Sequence, residues 1–123
     1  GDAGSTFLGA IFAAFILQSK SILEGFTILL LISPILMDSS ICIFRRIYYG
    51  HNIFKPHKLH LYQRLVQKGF SHDKVSIIYI SSTILISIFY LTDLFLLQIL
   101  SIVFIFALGV YLEKKYAIPF SNN

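Results

Sequence analysis

The amino-acid sequence predicts an all-α, polytopic membrane protein with about four transmembrane helices and one long basic loop on its cytosolic side. Three observations predict it. The 123 residues are 56% hydrophobic and 13% charged, against a soluble-domain norm of about 25% charged. Uncharged runs cover Ala3–Ser19, Gly25–Met37, Val75–Leu91 and Leu94–Leu112, and three of them approach the ~20 residues that cross a bilayer core. None of the runs alternates apolar and polar residues as the strands of a membrane barrel would. The spans are expected near residues 5–19, 24–44, 75–91 and 94–112 of a single membrane domain, 1–123, with no separate soluble part.

Each element has its own signals. The first run has neither a basic lead nor a small-residue cleavage site, so it reads as a span and not a signal peptide. The second reaches span length only by continuing through Asp38 to Phe44, and Pro34 predicts a kink inside it. Residues 45–74 form the long loop, in which Lys58–Lys68 alternates Leu59, Leu61, Leu65 and Val66 with His60, Arg64 and Lys68. That spacing predicts a short amphipathic helix at the interface. Gly69 would end this helix, and Ser71 or Asp73 would cap the third span.

The charges orient the chain. Of the ten basic residues, Arg45, Arg46, Lys55, Lys58, Arg64, Lys68 and Lys74 fall in the loop, Lys114 and Lys115 follow the last apolar run, and Lys20 stands apart. Four spans place the start, the loop and the C-terminus on one side, which the positive-inside rule makes cytosolic. The net charge of +4 therefore reflects membrane topology and contact with lipid headgroups. It excludes a nucleic-acid footprint, because no basic soluble face is left to carry one.

Several residues carry candidate chemistry. Asp2, set in "GDAGS" before an apolar run, reads locally as a helix N-cap or as a ligand for a metal or phosphate. If residues 57–64 are helical, His57, His60 and Arg64 share one face beside Lys58, a cationic surface suited to a diphosphate. His57 and His60 also have a zinc-like spacing. The sequence places no third ligand for it, since Cys42 falls in the second span and His51 and His72 are remote. Asp38 is the ionisable residue well inside a span, where charges are costly. Arg45, two turns later on the same face, is its expected partner, and a structural role in joining helices is assigned to the pair. The run Ser71-His72-Asp73 reads as capping and not as a hydrolase triad.

Three stretches in order then resemble one family. "GDAGSTFLG", "PILMDSSICIFRRIYYG" and "KPHKLHLYQRLVQKGFS" are similar to successive blocks of the polyprenyl-phosphate N-acetylhexosamine-1-phosphate transferases. These membrane sugar-1-phosphate transferases (glycosyltransferase family 4) include the peptidoglycan translocase. The form "HKLHLYQRL" is closer to the O-antigen-initiating branch. The resemblance implies transfer of N-acetylhexosamine-1-phosphate from a UDP-sugar to undecaprenyl or another polyprenyl phosphate, with release of UMP. It implies Asp2 as a Mg²⁺ ligand and His57, Lys58, His60 and Arg64 as contacts to the substrate diphosphate. It places the enzyme in a bacterial inner membrane with its active face in the cytoplasm. Family members have about ten spans, and the paired aspartates of their N-terminal half have no counterpart here. The chain is therefore expected to be a C-terminal portion, inactive alone, whose catalytic residues and partner lie in a separate N-terminal part. The competing expectation is a non-enzymatic four-helix scaffold or gene remnant.

Overall fold

A computed structural model describes residues 2–120, apart from the side chains of Asp2 and Ser5. Six helices follow one another: α1 (Asp2–Leu17), α2 (Ile22–Leu31), α3 (Ser33–Tyr48), α4 (Leu61–Gln67), α5 (His72–Leu91) and α6 (Phe95–Tyr116). There is no strand among the described residues. The helices α5 and α6 are long and apolar enough to cross a membrane, and α2 with α3 would make a third, bent span. The apolar part of α1, Thr6–Leu17, is shorter than a full crossing. The chain is a membrane protein, but its spans are less uniform than four equal apolar runs suggest.

The second run is where structure and expectation differ most. It is not one helix kinked at Pro34. Two helices meet at Ile32 with a bend of 80°. Proline carries no N–H, and its ring collides with the carbonyl four residues back, here that of Leu30, so a continuous helix is blocked. Pro34 instead lies in the first turn of α3, where a missing N–H costs nothing. The Ile32 N–H closes α2 on the Leu29 carbonyl.

The connection before α2 follows local rules. Ser21 caps α2 by accepting the Glu24 N–H at 3.1 Å, and Glu24 accepts the Lys20 N–H at 2.7 Å. The pair resembles a capping box shifted by one residue, since Glu24 accepts the N–H before the N-cap and not that of Ser21 itself. Packing joins α1 to α2, α2 to α5, and α5 to α6, while α3 packs on both α5 and α6. Gly25 allows the close approach of the α1–α2 turn, since a Cβ there would stand 2.9 Å from the Ser19 hydroxyl. Deeper in, Gln98 of α6 is 1% exposed and donates to the Thr27 carbonyl of α2 at 3.2 Å. Along α5, Ser82, Thr83 and Ser87 donate to the carbonyls of Ile78, Tyr79 and Thr83, so these hydroxyls are satisfied without water.

The loop is mostly extended. The helix expected over 58–68 begins only at Leu61, with His60 as its N-cap. Its end falls as the sequence predicts: Gly69 has φ +112°, a conformation that glycine adopts without penalty. Ser71 then caps α5 by accepting the Lys74 N–H at 3.4 Å.

Candidate functional site

At one end of the bundle, α3, α4, α5, α6 and the segment after α6 line a mostly apolar cavity of about 210 Å³. Pro34, Ile41, Leu65, Ile78 and Phe106 line its apolar part, and Asp38, Arg45, Arg64 and Glu113 supply its charges. Each charge is answered from a different element. The Glu113 carboxylate of α6 accepts from Arg45 of α3 and, at 2.6 Å, from Nη2 of Arg64 in α4. Phe120 folds back beneath both guanidiniums, with their central carbons 5.7 and 5.4 Å from its ring centre, within cation–π range.

Arg64 is not placed as a diphosphate ligand. It is 3% exposed, and its other nitrogens donate to the carbonyls of Leu59 and Ile118, each at 3.0 Å. A guanidinium so fully committed fixes the fold of this end. Its neighbour in type, Arg46, does the same for the loop. It is 3% exposed and donates to the carbonyls of Asn52, Ile53 and Lys55, shaping the turn that brings His57 back toward α3.

Asp38 does not pair with Arg45, because Arg45 reaches α6 and finds Glu113 there. The Asp38 carboxylate accepts from the Leu61 N–H and from the Tyr79 hydroxyl, each at 2.8 Å. It thereby ties α3 to the start of α4 and to α5. His60 stands beside it, with Nδ1 4.0 Å from Asp38 Oδ1.

His57 and His60 face each other with ring centres 5.0 Å apart, but not on a helix. They come from the extended stretch after Pro56, held by the Gln63 side chain accepting the His60 N–H at 3.2 Å and by Gln67 donating to the Lys58 carbonyl at 3.1 Å. Lys58 is exposed between them. Burial, then the positive field of Arg46 and His60, holds His57 below the ordinary histidine range, so it is neutral at pH 7. The structure also brings Cys42 to the pair: one ligand atom from each of Cys42, His57 and His60 lies within 4.8 Å of the others. The third ligand that the sequence does not place is therefore present in space.

Asp2 lies outside the described side chains. Near the histidines the donors are a thiol, two imidazoles and a carboxylate already holding two hydrogen bonds. Magnesium prefers carboxylates, phosphates and water, so this donor set does not fit it.

Comparison with known proteins points in one direction. The chain is 32% identical over 93 residues, 63% of its length, to a protein of Mycobacterium leprae named decaprenyl-phosphate N-acetylglucosaminephosphotransferase. Proteins of the same name from two strains of Mycobacterium tuberculosis match equally. The likeness is to sugar-phosphate transferases. The chain spans only 23% of the length of these curated relatives. No protein-family model matches it, and no solved structure matches it significantly.

Sequence reasoning missed Glu113, Tyr79 and Phe120. Glu113 sits in "LEKKY", where two lysines disguise it as part of a solvated charged end. Tyr79 and Phe120 carry no local signal, because their importance arises from partners 41 residues away for Tyr79 and from the ring's place under two arginines for Phe120.

Proposed function

We propose that this chain forms part of a membrane enzyme that transfers N-acetylhexosamine-1-phosphate from a UDP-sugar to a polyprenyl phosphate, releasing UMP. The likeness over 93 residues to the mycobacterial transferases carries the reading. Two features of the site support it. The cavity is apolar along most of its wall, with Asp38, Arg45, Arg64 and Glu113 as its charged lining, which suits a prenyl chain. His57, Lys58 and His60 lie on the loop outside its lining, with His60 Nδ1 4.0 Å from the cavity-lining Asp38, and their N–H donors can neutralise charge developing on a diphosphate. Phosphoryl transfer relies on such neutralisation and positioning more than on covalent help from the protein. Neutral His57 donates a hydrogen bond, and Lys58 supplies a full charge. Arg64 holds the floor beneath them and does not touch substrate.

In this reading Asp2 contributes to a Mg²⁺ site, the active face is cytosolic in a bacterial inner membrane, and the product starts an O-antigen-type polysaccharide. N-acetylglucosamine is the favoured sugar, by the name of the relatives. The 123 residues alone are expected to release no UMP, since the paired aspartates that the resemblance implies have no counterpart among them.

The test is UMP release by the longest polypeptide containing this chain, in detergent with UDP-N-acetylglucosamine, Mg²⁺ and undecaprenyl phosphate. His60→Ala is expected to cut turnover about 100-fold, the usual scale for losing one group that stabilises transition-state charge. Unchanged turnover in a folded His60→Ala protein would overturn the assignment. No UMP from any form would favour a non-enzymatic scaffold.

A further inference from the structure

We propose that Cys42, His57 and His60 form a binding site for a zinc-class divalent cation. The proposal stands on their geometry and does not need the transferase reading; with the cation bound, His57 and His60 serve as its ligands in place of the diphosphate contacts proposed above. Their ligand atoms already lie within 4.8 Å of one another. A tetrahedral zinc with bonds of about 2.0–2.3 Å sets its ligands roughly 3.5 Å apart, so closure requires movements of about 1 Å. His57 can supply most of this, because it belongs to the extended stretch before α4, whereas His60 is the N-cap of α4 and is held there by Gln63 and by its carbonyl accepting the Arg64 N–H. Cys42 cannot move as easily, being 2% exposed on α3, and provides the fixed point.

A second observation points to a ligand. Nδ1 of His60 is buried and makes no well-formed hydrogen bond among the described residues; its one approach is the loose capping contact of the ring with the Gln63 N–H at the start of α4. An unsatisfied buried polar atom is costly, and there are two ways to satisfy it. The ring can bind the cation through this nitrogen. Alternatively it can bind through the other nitrogen and turn the Nδ1–H onto Asp38 Oδ1, 4.0 Å away. The latter is the common arrangement in which a carboxylate orients a metal-bound histidine.

The chemistry of the donors sets the class of ion. A thiolate with two imidazoles selects zinc or cobalt over magnesium and calcium. A divalent ion on one thiolate and two neutral imidazoles carries a net single positive charge, which the Asp38 carboxylate beside it balances. Three protein ligands leave a fourth position for water or another small donor. The bland account of Cys42 is that of a small apolar residue packed with Leu59 and Phe120. That account explains its burial but not the two imidazoles turned toward it.

Cobalt(II) alone is the probe. The untagged full chain, purified in detergent micelles, is titrated with Co²⁺ and followed by absorption. One equivalent is expected to give the intense visible bands of a tetrahedral site together with a near-ultraviolet sulfur-to-cobalt band, and Zn²⁺ should erase both. Cys42→Ser is expected to lose the sulfur band, and His57→Gln to weaken Co²⁺ binding by at least about tenfold. His57 is partly exposed, so its variant should keep the wild-type melting curve without metal and guards against a merely unfolded Cys42 variant. The pale spectrum of six-coordinate cobalt, or a sulfur band that survives Cys42→Ser, would overturn the proposal.

Discussion

Arg64 and Arg45 share a partner and differ in burial, and that difference decides what each contributes. Arg64 is 3% exposed and serves Leu59, Ile118 and Glu113, whereas the Arg45 side chain is 36% exposed. Removing one member of a buried charge pair costs about 3–5 kcal/mol because the other is stranded. An exposed ion pair is worth about 0–1 kcal/mol. Arg64→Ala should therefore destabilise the chain by about 3 kcal/mol in detergent, and Arg45→Ala by less than about 1 kcal/mol. Urea unfolding of both variants checks the order, and equal losses would contradict it. Arg64→Lys should rescue little, since one ammonium cannot reproduce the planar fork that reaches three acceptors. None of this is legible locally. In the sequence Arg64 is one more basic residue in a basic loop, and its burial depends on a glutamate 49 residues further on.

At the scale of elements, the chain's own punctuation is reliable where it is local. Gly69 and Ser71 do what their place in the sequence predicts. The amphipathic period from 58 to 68 misleads at its start. Leu59 is drawn against Cys42 and Phe120, and the His60–Gln63 contact is itself a helix-start pattern of the capping-box type. The α1–α2 turn offers a graded test. Gly25→Ala would meet the Ser19 hydroxyl at 2.9 Å, the end of a side chain that can rotate, so the loss should be small, about 1 kcal/mol or less. Gly25→Leu must also displace Ile16, and should part α1 from α2. A disulfide engineered across these helices should form in the alanine variant and fail in the leucine one.

For the molecule as a whole, the two ends of the bundle carry different charge. Ser21, Glu24, Asp93 and Gln98 gather at one end, beside Lys20. The other basic residues lie in the loop, in the last turns of α3 and α6, or at the start of α5. This separation was readable from the sequence, because apolar length and the clustering of basic residues are properties of composition along the chain. How many true crossings exist was not, since run lengths cannot show the break at Ile32. In a Cys42→Ser background, single cysteines at Lys58 and Lys20 should react with an impermeant maleimide from opposite sides of the membrane. Labelling of both from one side would contradict the assigned topology. Most of the apolar surface of α5 and α6 is uncovered, with 17% of each span's residues buried, so lipid or further polypeptide must cover the rest.

The elbow at Ile32 also sets a length. Legs of 10 and 16 residues at 1.5 Å per residue, turned by 80°, reach only about 30 Å from end to end. That equals the thickness of an average hydrocarbon core, so the pair can cross only with both legs leaning, α2 by roughly 50° and α3 by roughly 30° from the normal. A straight helix of the same residue count would have about 9 Å to spare. The angle thus acts as a fixed strut, and a thicker bilayer must thin around it or force the elbow open.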